Sequence, residues 1–389
     1  MLYHRSLRRI LILIVFFIVY GSLYPWQFAP RQIAGNPLGI LLHAWHPAFS
    51  RFLFRDIVVN ISIYIPLGFA AHFVFRKIRW PLLSLYGPVL LGLVLSTAVE
   101  LTQLYTPHRD TNLMDLITNV IGSALGVMLA VLFEKIAGPL PRRSRPIAID
   151  RGALMLVFCW AVWLVFPFFP MLSQHELHRR LLVFVHSPVL APVSFVSAAA
   201  VWFTLGLLIT AAGIRQSVAL LGFSILAIPA QFLIADRQPV PSDLLGAIAG
   251  FLLFTSRSRK KTVTKTEAWV FSVMLVLRGL SPFRFVPESA DFTWIPFGGA
   301  LNAEWQFAVL VMLEKVCYYA TAIWLLRNAG IRLLHSVVVV AVILAAIEIA
   351  QTHLPGRTAE TTDPILAIIM GFVLLILSRE TGRRFQSAE

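Results

Sequence analysis

Three groups of polar residues recur in this chain with one spacing. Each group has a glutamine, an arginine six residues later and an aspartate six residues after the arginine: Gln103, Arg109 and Asp115; Gln231, Arg237 and Asp243; Gln351, Arg357 and Asp363. A guanidinium group binds a phosphate or a carboxylate, and amide and carboxylate groups can orient such a ligand. The spacing therefore indicates either a recurring binding site or a recurring structural joint.

The first group has the fullest set of polar neighbours. Glu100 precedes Gln103 by three residues, so both side chains lie on one face of a helix. We predict Glu100 and Asp115 as catalytic residues, with Glu100 as a general acid or base. The predicted ligand-binding residues are Asp56, Asn60, Gln103, Arg109, Asp110 and Asn119, with Arg109 as the clamp for an anionic ligand. Any activity is expected to belong to this group.

The second and third groups lack part of this set. Ile228 replaces the glutamate in the second group, and Thr358 and Ala367 replace Asp110 and Asn119 in the third. We therefore interpret the remaining polar residues as equivalent by repetition and structural in role: Gln231, Arg237, Asp243, Glu348, Gln351, Arg357 and Asp363. A structural interpretation also competes in the first group, where Arg109 would clasp the carboxylates of Glu100 and Asp115 without any ligand.

Missing motifs narrow the chemistry further. The sequence contains neither a glycine-rich phosphate loop nor an HExxH metal motif, and no dedicated nucleophile accompanies the first group. Its two cysteines, Cys159 and Cys317, lie in separate apolar segments, which argues against a disulfide framework and a CxxC metal site. We predict no metal and no cofactor.

The elements that position these groups must be membrane helices. Hydrophobic residues make up 58% of the chain and charged residues only 13%, whereas about a quarter of an ordinary globular chain is charged. Twelve apolar stretches are candidate membrane-spanning segments. They lie near residues 8–25, 56–75, 82–104, 112–134, 152–170, 190–211, 216–234, 241–256, 267–280, 306–327, 332–352 and 362–378. We predict an all-α polytopic membrane protein with about twelve transmembrane helices.

The recurring groups divide these helices into three diverged four-helix repeats, at residues 1–135, 150–256 and 267–380. Each group lies at the end of a third helix, in the following loop and at the start of a fourth. The net charge of +14 does not indicate a nucleic-acid partner, because the basic residues lie in short loops between apolar segments. Most of them fall on one side, which predicts cytoplasmic N- and C-termini and places the three groups on the opposite side.

Residues 1–135 resemble the VanZ-like family of membrane proteins. The resemblance rests on the sequence Ile65-Pro66-Leu67-Gly68-Phe69 together with Asp56, Asn60, Glu100, Gln103, Arg109, Asp110, Asp115, Asn119 and Gly122. It implies an envelope setting, because the founding association of this family is with low-level resistance to a glycopeptide antibiotic. The expected partners are membrane lipid and a lipid-linked envelope precursor or a glycopeptide. A secondary transporter and a noncatalytic membrane scaffold are the alternatives.

Overall fold

The computed structural model describes residues 2–29, 35–45, 51–76, 80, 82–107, 111–137, 150–166, 173–186, 191–214, 217–234, 237–257 and 262–386. The regular secondary structure of these residues is helical. Two of the predicted site residues, Arg109 and Asp110, lie outside the described residues, as does the side chain of Asp56. The chain forms two compact units, Met1–Ser144 and Arg145–Glu389.

Where the structure describes it, the first unit contains four long helices and one short helix. Its described helices are α1 (Leu2–Leu23), α2 (Pro37–His43), α3 (Arg51–Phe75), α4 (Leu83–Gln103) and α5 (Leu113–Ala137). The helices α3 and α5 pack closely because α5 presents glycines to the α3 backbone. A Cβ atom on Gly122 would lie 2.4 Å from the carbonyl oxygen of Ile61, and one on Gly126 would lie 2.2 Å from that of Ile65. Glycine thus permits a backbone approach that a larger residue would block.

The second unit contains the other two polar groups. Its described helices are α6 (Arg151–Val165), α7 (Gln174–His186), α8 (Pro192–Ala211), α9 (Ser217–Ser224), α10 (Ala227–Ala230), α11 (Pro241–Ser256), α12 (Lys265–Leu280), α13 (Gly298–Asn302), α14 (Trp305–Asn328), α15 (Leu333–Gln351) and α16 (Thr362–Gln386). A buried apolar core joins α6, α8, α12, α14 and α15, and its largest fully buried side chains include Trp160, Phe271 and Trp324.

Polar contacts also join α6 to α14 in this core. The carboxylate of Asp150 caps α6 by accepting hydrogen bonds from the amides of Gly152 and Ala153 at 2.8 and 3.1 Å. Its other oxygen accepts a bond from the Trp324 indole at 2.8 Å. The Trp160 indole donates to the hydroxyl of Thr321 at 3.2 Å. The large core side chains of Trp160 and Trp324 are therefore oriented by polar partners as well as by packing.

Six of the described helices are long and apolar enough to cross a membrane. They lie at Ile57–Phe75, Leu83–Gln103, Leu113–Leu132, Pro192–Ala211, Phe307–Asn328 and Leu333–Gln351. Shorter apolar helices lie at Arg151–Val165, Pro241–Ser256 and Thr362–Ser378. These features are typical of a membrane protein. The predicted segment 216–234 is interrupted, because α9 and α10 are separate and a single 3₁₀ turn at Gln231–Leu233 follows them.

Candidate functional site

Each glutamine of the recurring groups binds the end of an earlier helix. The side-chain nitrogen donates to a backbone carbonyl group of the penultimate residue of that helix: Gln103 to Ser22 of α1 at 2.7 Å, Gln231 to Leu164 of α6 at 3.2 Å, and Gln351 to Gly279 of α12 at 2.9 Å. The last carbonyl groups of a helix have no partner within the helix, so this bond satisfies one of them. The glutamines therefore act as helix-end caps.

The described arginines bind backbone carbonyl groups next to the same helix ends. Arg237 donates to Phe166 at 3.0 Å and also to Trp163, and its guanidinium lies 4.7 Å from the centroid of the Trp163 ring. Arg357 donates to Ser281 at 2.9 Å. Burial lowers the pKa of Arg237 to about 10, which leaves its guanidinium charged at neutral pH. These contacts differ from the clasp hypothesis, which expects the arginine between two carboxylates.

The two glutamates of the groups hold the loop that follows them. Glu100 accepts a hydrogen bond from the amide of Asn112 at 3.1 Å, and Glu348 accepts one from the amide of Glu360 at 2.8 Å. Each acceptor lies twelve residues before its donor, and both glutamates are buried. A buried carboxylate that accepts amide bonds stabilises a loop without any ligand.

Among the predicted site residues of the first unit, Glu100, Gln103 and Asn119 are buried. Asn119 donates to the hydroxyl of Ser96 at 2.9 Å, and Tyr64 lies near Ser96 and Glu100. Asn60 is half-buried on α3, and Asp115 lies in the first turn of α5. Sequence reasoning missed Tyr64 and Ser96, because neither has a charge or a recurring spacing. With Arg109 and Asp110 outside the described residues, the site in this unit stays a prediction.

The aspartates of the second and third groups have different environments. Asp243 lies in the first turn of α11, where its carboxylate accepts the amide of Val240 at 3.5 Å. Asp363 lies in the first turn of α16, and one of its carboxylate oxygens accepts a hydrogen bond from the Lys315 ammonium at 2.5 Å. Its other oxygen accepts the hydroxyl of Tyr319. The third group is therefore part of a larger network of charged side chains.

This network lines a cavity of about 540 Å³ within the second unit. The charged lining residues come from α12, α14, α15, α16 and the loop before α16: Arg278, Glu314, Lys315, Glu348, Arg357, Glu360 and Asp363. The apolar wall includes Leu275, Phe307, Val311, Met312, Leu344 and Ile347. A cavity of this volume accommodates a small molecule or part of a larger one.

Two ion pairs face the cavity. Lys315 pairs with Asp363, and their side chains are 23% and 8% exposed. Arg278 pairs with Glu314, and their side chains are 40% and 21% exposed. The Arg278 guanidinium also lies 4.9 Å from the centroid of the Tyr318 ring, which orients it by a cation–π contact. Arg278 is therefore the more accessible of the two paired cations.

Several of these residues were not predicted as site residues. Arg278, Lys315, Tyr318, Tyr319 and Glu360 all line the cavity. The available signal for Arg278 and Lys315 is that each lies inside an apolar segment, where a charge is costly unless it is paired or functional. Spacing gives no such signal, since the two cations belong to different helices.

The comparison with known families gives a match for the N-terminal part of the chain. Residues 9–134 match the family model described as VanZ/LLP1. Residues 9–134 form a VanZ-like domain. The resemblance predicted for residues 1–135 is thus confirmed, and no curated protein and no solved structure matches the chain significantly. The cavity of the second unit lies beyond the residues that match the VanZ-like family.

Proposed function

We propose that this VanZ-like protein is a multi-pass protein of the cell envelope that binds the phosphate-bearing headgroup of a membrane lipid or lipid-linked precursor. The binding site is the cavity of the second unit. The observation that carries this proposal is the combination of Arg278, Lys315 and Arg357 with an apolar wall in one cavity among membrane-type helices. A phosphate would bind the cations and the attached chains would contact the wall.

Arg278 is the best-placed residue for the phosphate. Its side chain is the most exposed of the paired charges, and Tyr318 already orients the guanidinium. Glu314 accepts a hydrogen bond from the guanidinium of Arg278. A phosphate would replace Glu314 with two charge-assisted hydrogen bonds. Lys315 and Tyr319 both donate hydrogen bonds to Asp363, and these bonds fix the positions of the three side chains beside the site.

Arg278→Gln is expected to reduce the phospholipid that copurifies with the protein in mild detergent. Hydrogen bonds to charged groups contribute about 1.5–3 kcal/mol, so affinity should fall about tenfold or more. Phosphorus-containing lipid per protein, measured by mass spectrometry, checks the result. Glu314→Gln should retain at least as much lipid as the wild type, because it removes the competing carboxylate.

The matched control for this experiment is Arg179→Gln. Arg179 lies on α7 outside the cavity, is 66% exposed and pairs with Glu176 at 2.6 Å. The control should retain the wild-type amount of lipid. Equal retention by the wild type and by Arg278→Gln would overturn the proposed site.

We also propose that the chain contains three four-helix repeats, at residues 1–135, 150–256 and 267–380. Their helices would account for about twelve membrane spans. The equivalent caps made by the three glutamines support this proposal. A second contact in one register also supports it: the amide of Ala29 donates to Tyr105, and that of Val286 donates to His353, both at 2.9 Å. Each donor lies six residues after the end of a first helix, and each acceptor two residues after the glutamine.

The side of the membrane on which the three arginine-containing loops lie gives a direct test of the repeats. Single cysteines placed next to Arg109, Arg237 and Arg357 are expected to react with an impermeant thiol reagent in intact cells, because the positive-inside bias places all three loops outside. The native cysteines Cys159 and Cys317 would be replaced by alanine. A loop that reacts only after lysis would contradict the twelve-span arrangement.

A role in glycopeptide resistance forms part of this proposal, and the resemblance of residues 9–134 to the VanZ-like family supports it. A secondary transporter is the second candidate, favoured by the interruption between α9 and α10 and by ion pairs within apolar helices. The glutamine and arginine caps are compatible with both functions, because stabilised helix ends are needed in either case.

A further inference from the structure

We infer that the headgroup bound in the second-unit cavity carries a primary ammonium group in addition to its phosphate, as in an ethanolamine phospholipid. This inference rests on the proposed function, because it concerns the ligand of the same cavity. It follows from the unequal distribution of charge along the lining. Among the lining residues, Arg278 and Arg357 lie at the C-terminal end of α12, whereas Lys315 lies among three carboxylates on α15, on α16 and in the loop before α16.

The basic end lies at the C-terminal end of α12. Arg278 is located there, and Arg357 reaches the same place by donating to the carbonyl group of Ser281. Glu314 is the one lining carboxylate that bonds to Arg278 among the described residues. Outside the lining, Arg237 and Asp243 are close enough to interact with Glu314. They add one charge of each sign, so this end has one cation in excess.

The acidic end lies between α14, α15 and the start of α16. Lys315 bonds to Asp363 at 2.5 Å, Glu348 accepts the amide of Glu360 at 2.8 Å, and all four residues line the cavity. Three carboxylates thus surround one cation at this end. The carboxylates therefore outnumber the cation at this end.

The acidic end already binds an ammonium group. The Lys315 ammonium lies 2.5 Å from the carboxylate of Asp363. Glu360 accepts the amide of Gly299 with one oxygen at 3.0 Å, and its side chain lines the cavity. A ligand ammonium would therefore have Glu360 as a counter-charge, while the ligand phosphate binds Arg278 and Arg357. A purely anionic headgroup would place its charge next to these carboxylates without compensation.

Competition binding of synthetic phospholipids with identical acyl chains tests the inference. The wild-type protein in detergent is mixed with ethanolamine, glycerol and choline phospholipids, and bound lipid is measured by native mass spectrometry. The ethanolamine lipid is expected to bind about tenfold more tightly than the glycerol lipid, because its ammonium gains a charge-assisted hydrogen bond. The choline lipid should bind less tightly than the ethanolamine lipid, since a quaternary ammonium has no N–H donor.

Glu360→Gln tests the contribution of the ligand ammonium group to binding. The glutamine can still accept the Gly299 amide, so the loop is retained while the charge is removed. The tenfold preference should fall to about twofold or less in this variant, and binding of the glycerol lipid should not decrease. An unchanged preference in Glu360→Gln would overturn the assignment of Glu360.

The remaining outcomes separate the inference from the proposed function. Equal or tighter binding of the glycerol lipid by the wild type would overturn the ammonium and leave phosphate binding intact. The inference and the proposed function would both be overturned if the wild type binds the ethanolamine and glycerol lipids equally and Arg278→Gln binds as much lipid as the wild type. Soluble ethanolamine phosphate and inorganic phosphate are included as competitors, and displacement of the lipid by either at equal concentration would overturn a lipid as the source of the headgroup.

Discussion

Replacing Lys315 with leucine is expected to destabilise the second unit by about 2–3 kcal/mol. The substitution leaves Asp363, Glu348 and Glu360 together in a largely buried cluster with no cation. Breaking a buried pair by removing one partner costs about 3–5 kcal/mol, and we expect the low end or slightly less because Lys315 is 23% exposed. Thermal melting in detergent and the yield of monodisperse protein provide the measurement.

Two further variants make this prediction specific. Lys315→Leu combined with Asp363→Leu removes both charges, and it should recover most of the lost stability because an apolar pair can replace a buried ion pair. Lys265→Leu changes an exposed lysine at the start of α12, and its effect should stay within about 0.5 kcal/mol. If the single Lys315 variant melts like the Lys265 variant, the ion pair is not required for folding.

Gly126→Ala is expected to destabilise the VanZ-like domain by about 2 kcal/mol. The new Cβ would lie 2.2 Å from the carbonyl oxygen of Ile65 and 2.7 Å from the amide nitrogen of Phe69. Both neighbours are backbone atoms, so α3 and α5 would have to separate. Overpacking costs about 1–3 kcal/mol, and a 2.2 Å contact with backbone belongs at the upper end of that range. The better helix propensity of alanine offsets about 1 kcal/mol, which leaves about 2 kcal/mol. Thermal melting of the purified protein is the measurement.

The matched control is Gly39→Ala in α2 of the same unit. The nearest atom to a Cβ at this position is the Cβ of Asn36 at 3.8 Å, an ordinary contact. This variant should melt at or slightly above the wild-type temperature. Gly122→Ala should resemble Gly126→Ala, because its Cβ would meet the α3 backbone in the same way. Equal melting of the Gly39 and Gly126 variants would contradict the close packing of α3 and α5.

Helix positions are the part of the fold that the sequence predicts best. The predicted segment 241–256 coincides with α11, and 82–104 differs from α4 by one residue at each end. Long apolar runs determine these helices because a membrane leaves backbone amides no other partner. The amphipathic helix α7 was not predicted, since its first half is polar and gives no apolar run.

The roles of the recurring residues are predicted less well. The spacing of Gln351, Arg357 and Asp363 is visible in the sequence, but the partners of the first two are backbone carbonyl groups. A carbonyl group belongs to every residue, so no side-chain pattern identifies the one that is bound. The clasp hypothesis therefore considers only side-chain partners for the arginine.

Composition and apolar runs suffice to predict a helical membrane protein, and the residues from Asp56 to Gly122 suffice to predict the VanZ-like domain, because both are properties of local sequence. The cavity needs the tertiary structure. Arg278, Lys315 and Glu360 are separated along the chain by many residues and have no common spacing. They line one cavity because α12, α14 and the loop before α16 pack around it. Packing between helices depends on many weak contacts at once, and no single segment of the sequence encodes it.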